Sequence, residues 1–228
     1  MSLAELPGAI TNFVETVRAG SGAALVASFA ADAAILDKGH EYRGELIAGW
    51  AERFMVPTPK IVRPIKAGRE EGQTVVTVIV GEGGKAVPER FEWAFTLAGP
   101  KISTLSIRIS KQPDLPPPVA AYVLATNLSD PDGLLDAFAE EAVVNDQLCE
   151  YWGKDAIRQW ASRDIFGQRV TMDVVKAVQR NGNAVVTAHV DGDYDKRGLP
   201  DPLVLTFYFS VAGEKIVQLI ILRNESGL

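Results

Sequence analysis

An ungapped internal repeat limits what this chain can fold into more than any other feature. The segment FAADAAILDKGHEYRG, Phe29 to Gly44, returns as FAEEAVVNDQLCEYWG, Phe138 to Gly153, 109 residues later. Flanking landmarks recur in the same order. Trp50, Ala51 and Arg53 answer to Trp160, Ala161 and Arg163 after a one-residue insertion. Lys66 answers to Lys176, Val75-Val76-Thr77 to Val185-Val186-Thr187, and Lys101-Ile102 to Lys215-Ile216. Self-similarity at a fixed long period marks each repeat as one structural unit. The 228 residues therefore divide into two modules of about 110 each, long enough to bury a core without disulfides or metal. The repeat also supplies an internal comparison: what both copies keep reports on the fold, and what they change is where a function is to be sought.

Composition removes several classes of function. A hydrophobic fraction of 47% and a charged fraction of 23% are ordinary for a globular protein. No apolar run approaches the ~18 residues of a membrane span. The start, MSLAELPGAITNF, has no basic region followed by an apolar stretch and does not read as a signal peptide, so a cytoplasmic protein without a membrane partner is expected. The single cysteine, Cys149, excludes an intramolecular disulfide and a cysteine zinc cluster. His40 and His189 are too few for a histidine-rich metal centre, so neither metal nor cofactor is expected. A net charge of −6 without a Lys/Arg cluster argues against nucleic acid.

The join falls in KQPDLPPPV, where three consecutive prolines disfavour helix and sheet. This gives a first domain over 1–110, a proline-rich linker over 111–118 and a second domain over 119–228. Each copy reads as helices and then strands. Ile10, Phe13, Val14 and Val17, and again Val119, Tyr122, Val123 and Thr126, recur at helical spacing. A second helix is expected in AALVASFAAD and DGLLDAFAEE, then short strands ending at Asp37 and Asp146. A third helix, carrying the paired tryptophans, follows Gly44 and Gly153. The β-branched runs QTVVTVIV and NAVVTAHV open a sheet of about four long strands, its last two turning at Gly99-Pro100 and Ala212-Gly213-Glu214. The class is α+β.

Two helices and a strand ending in a carboxylate, then Tyr-x-Gly, a third helix and a meander, resemble the nuclear transport factor 2-like superfamily. Within it the likeness is to SnoaL-like and ketosteroid-isomerase-like proteins, once per copy over nearly the whole chain. The resemblance implies two tandem cone-shaped domains, each with three N-terminal helices packed in a curved, mostly antiparallel sheet around an apolar pocket. It implies a small hydrophobic molecule as partner and, for an enzyme, cofactor-free isomerase, cyclase or lyase chemistry. It also implies dimers, often formed through the sheets. Tandem copies could reproduce that dimer within one chain as a pseudo-dimer, with a homodimer of chains as the further expectation.

The resemblance places Asp37 and Asp146, which end AAILD and AVVND, inside the cone as acid-base groups. A carboxylate in an apolar pocket has its pKa raised by desolvation, which suits it to moving protons near neutral pH. The competing reading is a strand-end Asp that hydrogen-bonds the following turn. The isomerase pattern adds a tyrosine on the first helix and a second acid on the penultimate strand. Copy one has Phe13 at the first place and copy two has Tyr122. At the second, Phe91-Glu92 and Val204-Leu205-Thr206 offer no clear carboxylate. Copy two is therefore expected to hold the site, with Asp146 as acid-base group and Tyr122 as hydrogen-bond donor. A half-buried Tyr122 bonded to a backbone carbonyl is the alternative. Further ligand-contact candidates are His40 and Tyr42 in the first copy, and Glu150, Tyr151, Trp152 and Trp160 in the second. Arg53 and Arg163, kept in both copies, read as structural pairing partners.

Three patterns drop out. His189 has the parity of a residue pointing away from the cone. DGDYDKRGLPDP imitates a calcium loop but has Lys196 where glycine is required and Pro202 where a bidentate Glu is required, so it is expected as an acidic hairpin over the pocket rim. GEGGK, residues 81–85, lacks the Walker spacing and reads as a turn. An enzyme at Asp146 and a non-catalytic binding or assembly module with degenerate pockets both remain. In a third version, copy one fills its own pocket with Phe13, Phe29 and Phe91.

Overall fold

The structure, a computed structural model, describes residues 3–55, 60–82 and 88–223. Its contacts divide the chain into two units, Met1–Lys111 and Gln112–Leu228. The first contains α1 (Gly8–Ala19), α2 (Gly22–Ala27), β1 (Phe29–Asp37), β2 (His40–Arg43), α3 (Leu46–Met55), β3 (Lys60–Glu70), β4 (Gln73–Glu82), β5 (Glu89–Ala98) and β6 (Lys101–Ile109). The second contains α4 (Pro117–Leu128), α5 (Pro131–Asp136), β7 (Phe138–Asp146), β8 (Cys149–Trp152), α6 (Gly153–Trp160), a π-helical turn (Ala161–Phe166), β9 (Thr171–Arg180), β10 (Asn183–Asp191), β11 (Leu203–Ala212) and β12 (Lys215–Arg223). The two lists match element for element until the π-helical turn.

Each unit is α+β, a six-stranded sheet with three helices. Strand orders are β2-β1-β6-β5-β4-β3 and β8-β7-β12-β11-β10-β9. All neighbours are antiparallel except β1 with β6 and β7 with β12. Both sheets are wider than four strands. β1 and β7 join the edge of the meander, and residues 40–43 and 149–152, expected as turns, pair back as β2 and β8. This pairing also shortens the second helices. Phe29 and Phe138 lie opposite Ile102 and Ile216 in the sheet, so α2 and α5 stop at Ala27 and Asp136. The proline-rich join is shorter than 111–118, because Pro117 and Pro118 open α4. At the first helical positions a missing N–H breaks no bond, so proline is compatible with helix there.

Each unit has its own core. Ile10, Phe13, Val14 and Val17 of α1 pack on inward residues of β4, β5 and β6, and Val119, Tyr122 and Val123 of α4 pack on β10, β11 and β12. Several repeated residues are explained by contacts that recur. Lys101 and Lys215 donate to the last carbonyls of α2 and α5, Ala27 O and Asp136 O, satisfying groups a helix end leaves open. β3 and β9 each break register at the same place, between Pro64 and Lys66 and between Val174 and Lys176. The first helix is pinned to this strand by different chemistry in each copy. In the first unit Arg18 Nε donates to Val62 O at 2.8 Å. In the second, buried Asn127 donates to Met172 O at 2.9 Å and accepts from Met172 N at 2.7 Å. Among the described residues no helix is long and apolar enough to cross a membrane. The GEGGK turn lies partly outside the described residues.

Candidate functional site

The aspartates at the ends of β1 and β7 are each held by a tryptophan indole. Trp50 Nε1, on α3, donates to Asp37 Oδ2 at 3.0 Å, and Trp160 Nε1, on α6, donates to Asp146 Oδ2 at 3.0 Å. Both tryptophans are buried. Each bond ties the third helix to a strand. One other kept pair and one kept glutamate, its partner changed, surround it. Arg53 lies over the Tyr42 ring at 5.6 Å, and Arg163 lies over Tyr151 at 5.9 Å while donating to its hydroxyl at 2.9 Å. Glu41 binds the Arg43 guanidinium at 2.7 Å, and Glu150 accepts from the Trp152 indole at 3.1 Å. The repeated signature is thus a set of contacts that holds β2 or β8 and the third helix in place.

The copies part company deeper in. Phe13 packs edge-on against Phe29 at 5.9 Å and Phe95 at 5.4 Å, and Tyr122 packs at the same two distances against Phe138 and Phe209. The two rings hold equivalent places. In the first unit Phe13 also meets Trp93 at 5.5 Å, and Phe54 bridges Trp50 (stacked, 4.8 Å) and Trp93 (6.2 Å). At those positions the second unit has Phe207 for Trp93 and Asp164 for Phe54. A smaller ring and a short acid leave space where two large rings stood. That space is part of a cavity of about 450 Å³, walled by Tyr122, Asp146, Asp164, Met172, Phe207 and Ile221, with other largely apolar residues.

The helix after Trp160 differs too. Gly167 N reaches back five residues to Ser162 O at 2.9 Å, and Val170 N reaches Ile165 O at 2.9 Å, the spacing of a π-helix. Only glycine fits at 167, because a Cβ there would lie 2.7 Å from Arg163 O and 3.0 Å from Ser162 O. The turn carries Asp164 and Ile165 into the cavity wall. Arg163 grips Asp164 with Nε to Oδ1 at 2.8 Å and a terminal nitrogen to Oδ2 at 2.7 Å. The long loop after β10 supplies the far wall through Tyr194, Asp195 and Leu199. An Arg169–Asp193 ion pair and a bond from Asp193 N to Gln168 O at 2.7 Å tie it to the segment after the π turn.

The Tyr122 hydroxyl is fully buried and meets no hydrogen-bond partner. Thr126, one turn along α4, is near enough to ease its ionisation, but the two hydroxyls do not reach bonding geometry. Burial pushes the phenol well above its usual range, and the charge of Asp146 adds to this, so the group remains an O–H donor. Burial also raises the Asp146 carboxyl. The Trp160 indole opposes that rise, Asp164's charge adds to it, and Gln147 and Arg163 oppose it. Tyr194 is pushed up to about 12 by burial, then by Asp191 and Asp201, and its hydroxyl donates to Val190 O at 2.9 Å. The cavity thus presents a neutral donor, a carboxyl with raised proton affinity and apolar walls.

Of the residues singled out from sequence, the structure brings Tyr122 and Asp146 to this cavity. Trp160 stands behind Asp146 as its donor. Tyr151, Glu150 and Trp152 belong to the surface network of β8, with Trp152 66% exposed. Asp37 and Tyr42 make the matching contacts in the first unit, and exposed His40 lies 3.2 Å from Lys38 O in its own turn. Among the bonds described, Tyr122 has no backbone carbonyl, which removes that alternative. His189 lies opposite Asp173 across β9 and β10, with the parity opposite to the cavity residue Val190. The sequence reading did not name Asp164. The signal was present in the repeat, since Trp50 plus four is Phe54 and Trp160 plus four is Asp164.

Residues 119–219 match the family model of the SnoaL-like domain. The second unit carries a SnoaL-like domain. Solved structures with overlapping folds include a Sinorhizobium meliloti protein assigned as a polyketide cyclase, 27% identical, covering 50% of this chain and 100% of its own at a TM-score of 0.45. Another is a Catenulispora acidiphila protein of ketosteroid isomerase-like fold, in complex with trimethylamine: 21% identical, 49% of this chain, 86% of its own, TM-score 0.41. A Mycobacterium tuberculosis protein in complex with estradiol-17beta-hemisuccinate is 13% identical over 47% of this chain and 91% of its own, at 0.40. No curated protein matches the chain. The SnoaL-like unit is the one that holds the cavity.

Proposed function

We propose that the SnoaL-like unit binds a small, largely apolar carbonyl compound and moves a proton next to its carbonyl group, without a cofactor. The observation that carries this reading is the buried, unpartnered Tyr122 hydroxyl on the wall of the cavity that also holds Asp146. An orphaned buried hydroxyl costs about 1–3 kcal/mol unless something pairs with it, and a ligand carbonyl oxygen would do so. As negative charge develops on that oxygen, the same bond strengthens. Asp146 in its carboxylate form takes the proton from the adjacent carbon, and its raised proton affinity suits it to return that proton elsewhere on the substrate. Electrons of the C–H bond pass into the enolate and back, so no oxidant or reductant is required.

In the first unit, Phe54 and Trp93 stand where the second has cavity, and Phe13 has no hydroxyl. That unit is read as a structural partner. Phe54 and Trp93 add to the Phe13, Phe29 and Phe91 expected from sequence, all of which lie in or against that unit's core.

Deuterium uptake at the α-carbons of cyclohexanone, followed by NMR, tests the reading. The full chain should exceed buffer. Tyr122→Phe should lower the excess rate by about tenfold or more, and Asp146→Asn should abolish it. Uptake that survives Asp146→Asn would remove the proton-transfer assignment.

A further inference from the structure

Resting on that reading of Asp146, a second carboxylate of the same cavity calls for a role. Asp164 has no counterpart in the first unit, where Phe54 stacks on Trp50. It is not a general helix-surface acid. It sits on a π-helical turn, whereas the sister helix is α-helical through Met55, its last described residue; that turn closes only because Gly167 has no side chain. Such turns are local distortions of the helix, frequent at functional sites. Here the distortion brings a carboxylate to the wall that Asp146 shares. Arg163 engages both oxygens of Asp164 and also the Tyr151 hydroxyl, so the acid is fixed in orientation.

We propose that Asp164 is a positioning residue for Asp146: its charge, held on the same cavity wall by Arg163, sets how readily the Asp146 carboxyl gives and takes a proton. Like charges around one site disfavour the second ionisation. Burial is the largest cause of the rise in Asp146's pKa; Asp164 adds to it and Arg163 opposes it. Other groups facing Asp146 are Tyr122 from α4, Trp160 from α6, Gln147 from its own turn, Cys149 opposite it on β8, and Arg223 at the end of β12. Of these, Tyr122 is neutral and Cys149 is exposed. Asp195 also lines the cavity, but Arg197 binds both of its oxygens and its charge does not act on Asp146, so Asp164 is the acid that can retune Asp146.

The test reads Asp146 through Trp160, whose indole N–H is bonded to it. In full-length protein labelled with nitrogen-15 at tryptophan, the Trp160 indole resonance is followed across pH. Asp164→Asn should lower the titration midpoint by about one pH unit, and Arg163→Gln should raise it. Asp155→Asn, which removes an exposed charge at the start of α6 outside the cavity, should leave it in place. A wild-type midpoint in Asp164→Asn overturns the proposal. If that variant does not fold, Arg163→Gln decides, and an unmoved midpoint overturns it. A merely structural ion pair would move stability, not the midpoint. With Asp146 as base, the acid limb of cyclohexanone exchange should shift to lower pH with the same variant. Should the indole midpoint move while Asp146→Asn leaves exchange untouched, the electrostatic role stands and the proton-transfer reading falls.

Discussion

Phe13 and Tyr122 occupy equivalent places on α1 and α4 and touch equivalent rings at equal distances, so one oxygen atom is the chemical difference between them. The first unit already demonstrates that the fold accepts phenylalanine there. Tyr122→Phe should therefore leave the melting temperature unchanged or raise stability by about 1 kcal/mol, by removing an unpaired buried hydroxyl, even while exchange activity falls. Thermal denaturation checks this, and a loss of stability would mean that the hydroxyl has a partner in the fold. Asp146 carries a pH-dependent version of the same trade. Its folded-state pKa is raised, so its favourable contribution is complete below the ordinary carboxylate range and is lost as pH climbs through the raised value. Asp146→Asn should thus melt higher than wild type at neutral pH, by on the order of 0.5 kcal/mol, and the gap should close in acid. Melting curves taken across that range decide it.

At the scale of elements, the third helix separates the copies. α3 is an ordinary helix to Met55, whereas α6 stops at Trp160 and gives way to the π-helical turn. Gly167→Ala should force that turn to shift, costing roughly 1–3 kcal/mol and displacing Asp164 from the cavity wall. Denaturant titration should show the loss, and the Trp160 indole midpoint should move as it does in Asp164→Asn. Much of the fold was legible in the sequence: the duplicated order of elements, the buried faces of α1 and α4, the turns at Gly99 and Gly213, and Tyr122 and Asp146 meeting at one cavity. What could not be read were pairings that depend on partners distant in sequence. β2 and β8 are short polar segments that become strands only because β1 and β7 lie beside them. The π-helical turn follows from how Gly167 meets the backbone, which no hydrophobic period records. Asp164 was missed because the resemblance directed attention to the penultimate strand, while the acid came from a helix.

Over the whole molecule, two units with separate cores share one plan, and the described cavity lies in the second. Native mass spectrometry with a saturating small ketone should accordingly show one bound molecule per chain. Two would mean that the Trp50–Phe54–Trp93 stack opens to admit a ligand. The Asp37–Trp50 bond is made at 3.0 Å in the unit where rings fill the space, and Asp146–Trp160 is made at the same length beside the cavity. A sequence pattern built on that Asp and Trp would gather ring-filled and cavity-bearing copies alike. In this chain the residue four beyond the tryptophan, Phe54 in one copy and Asp164 in the other, tells the two apart.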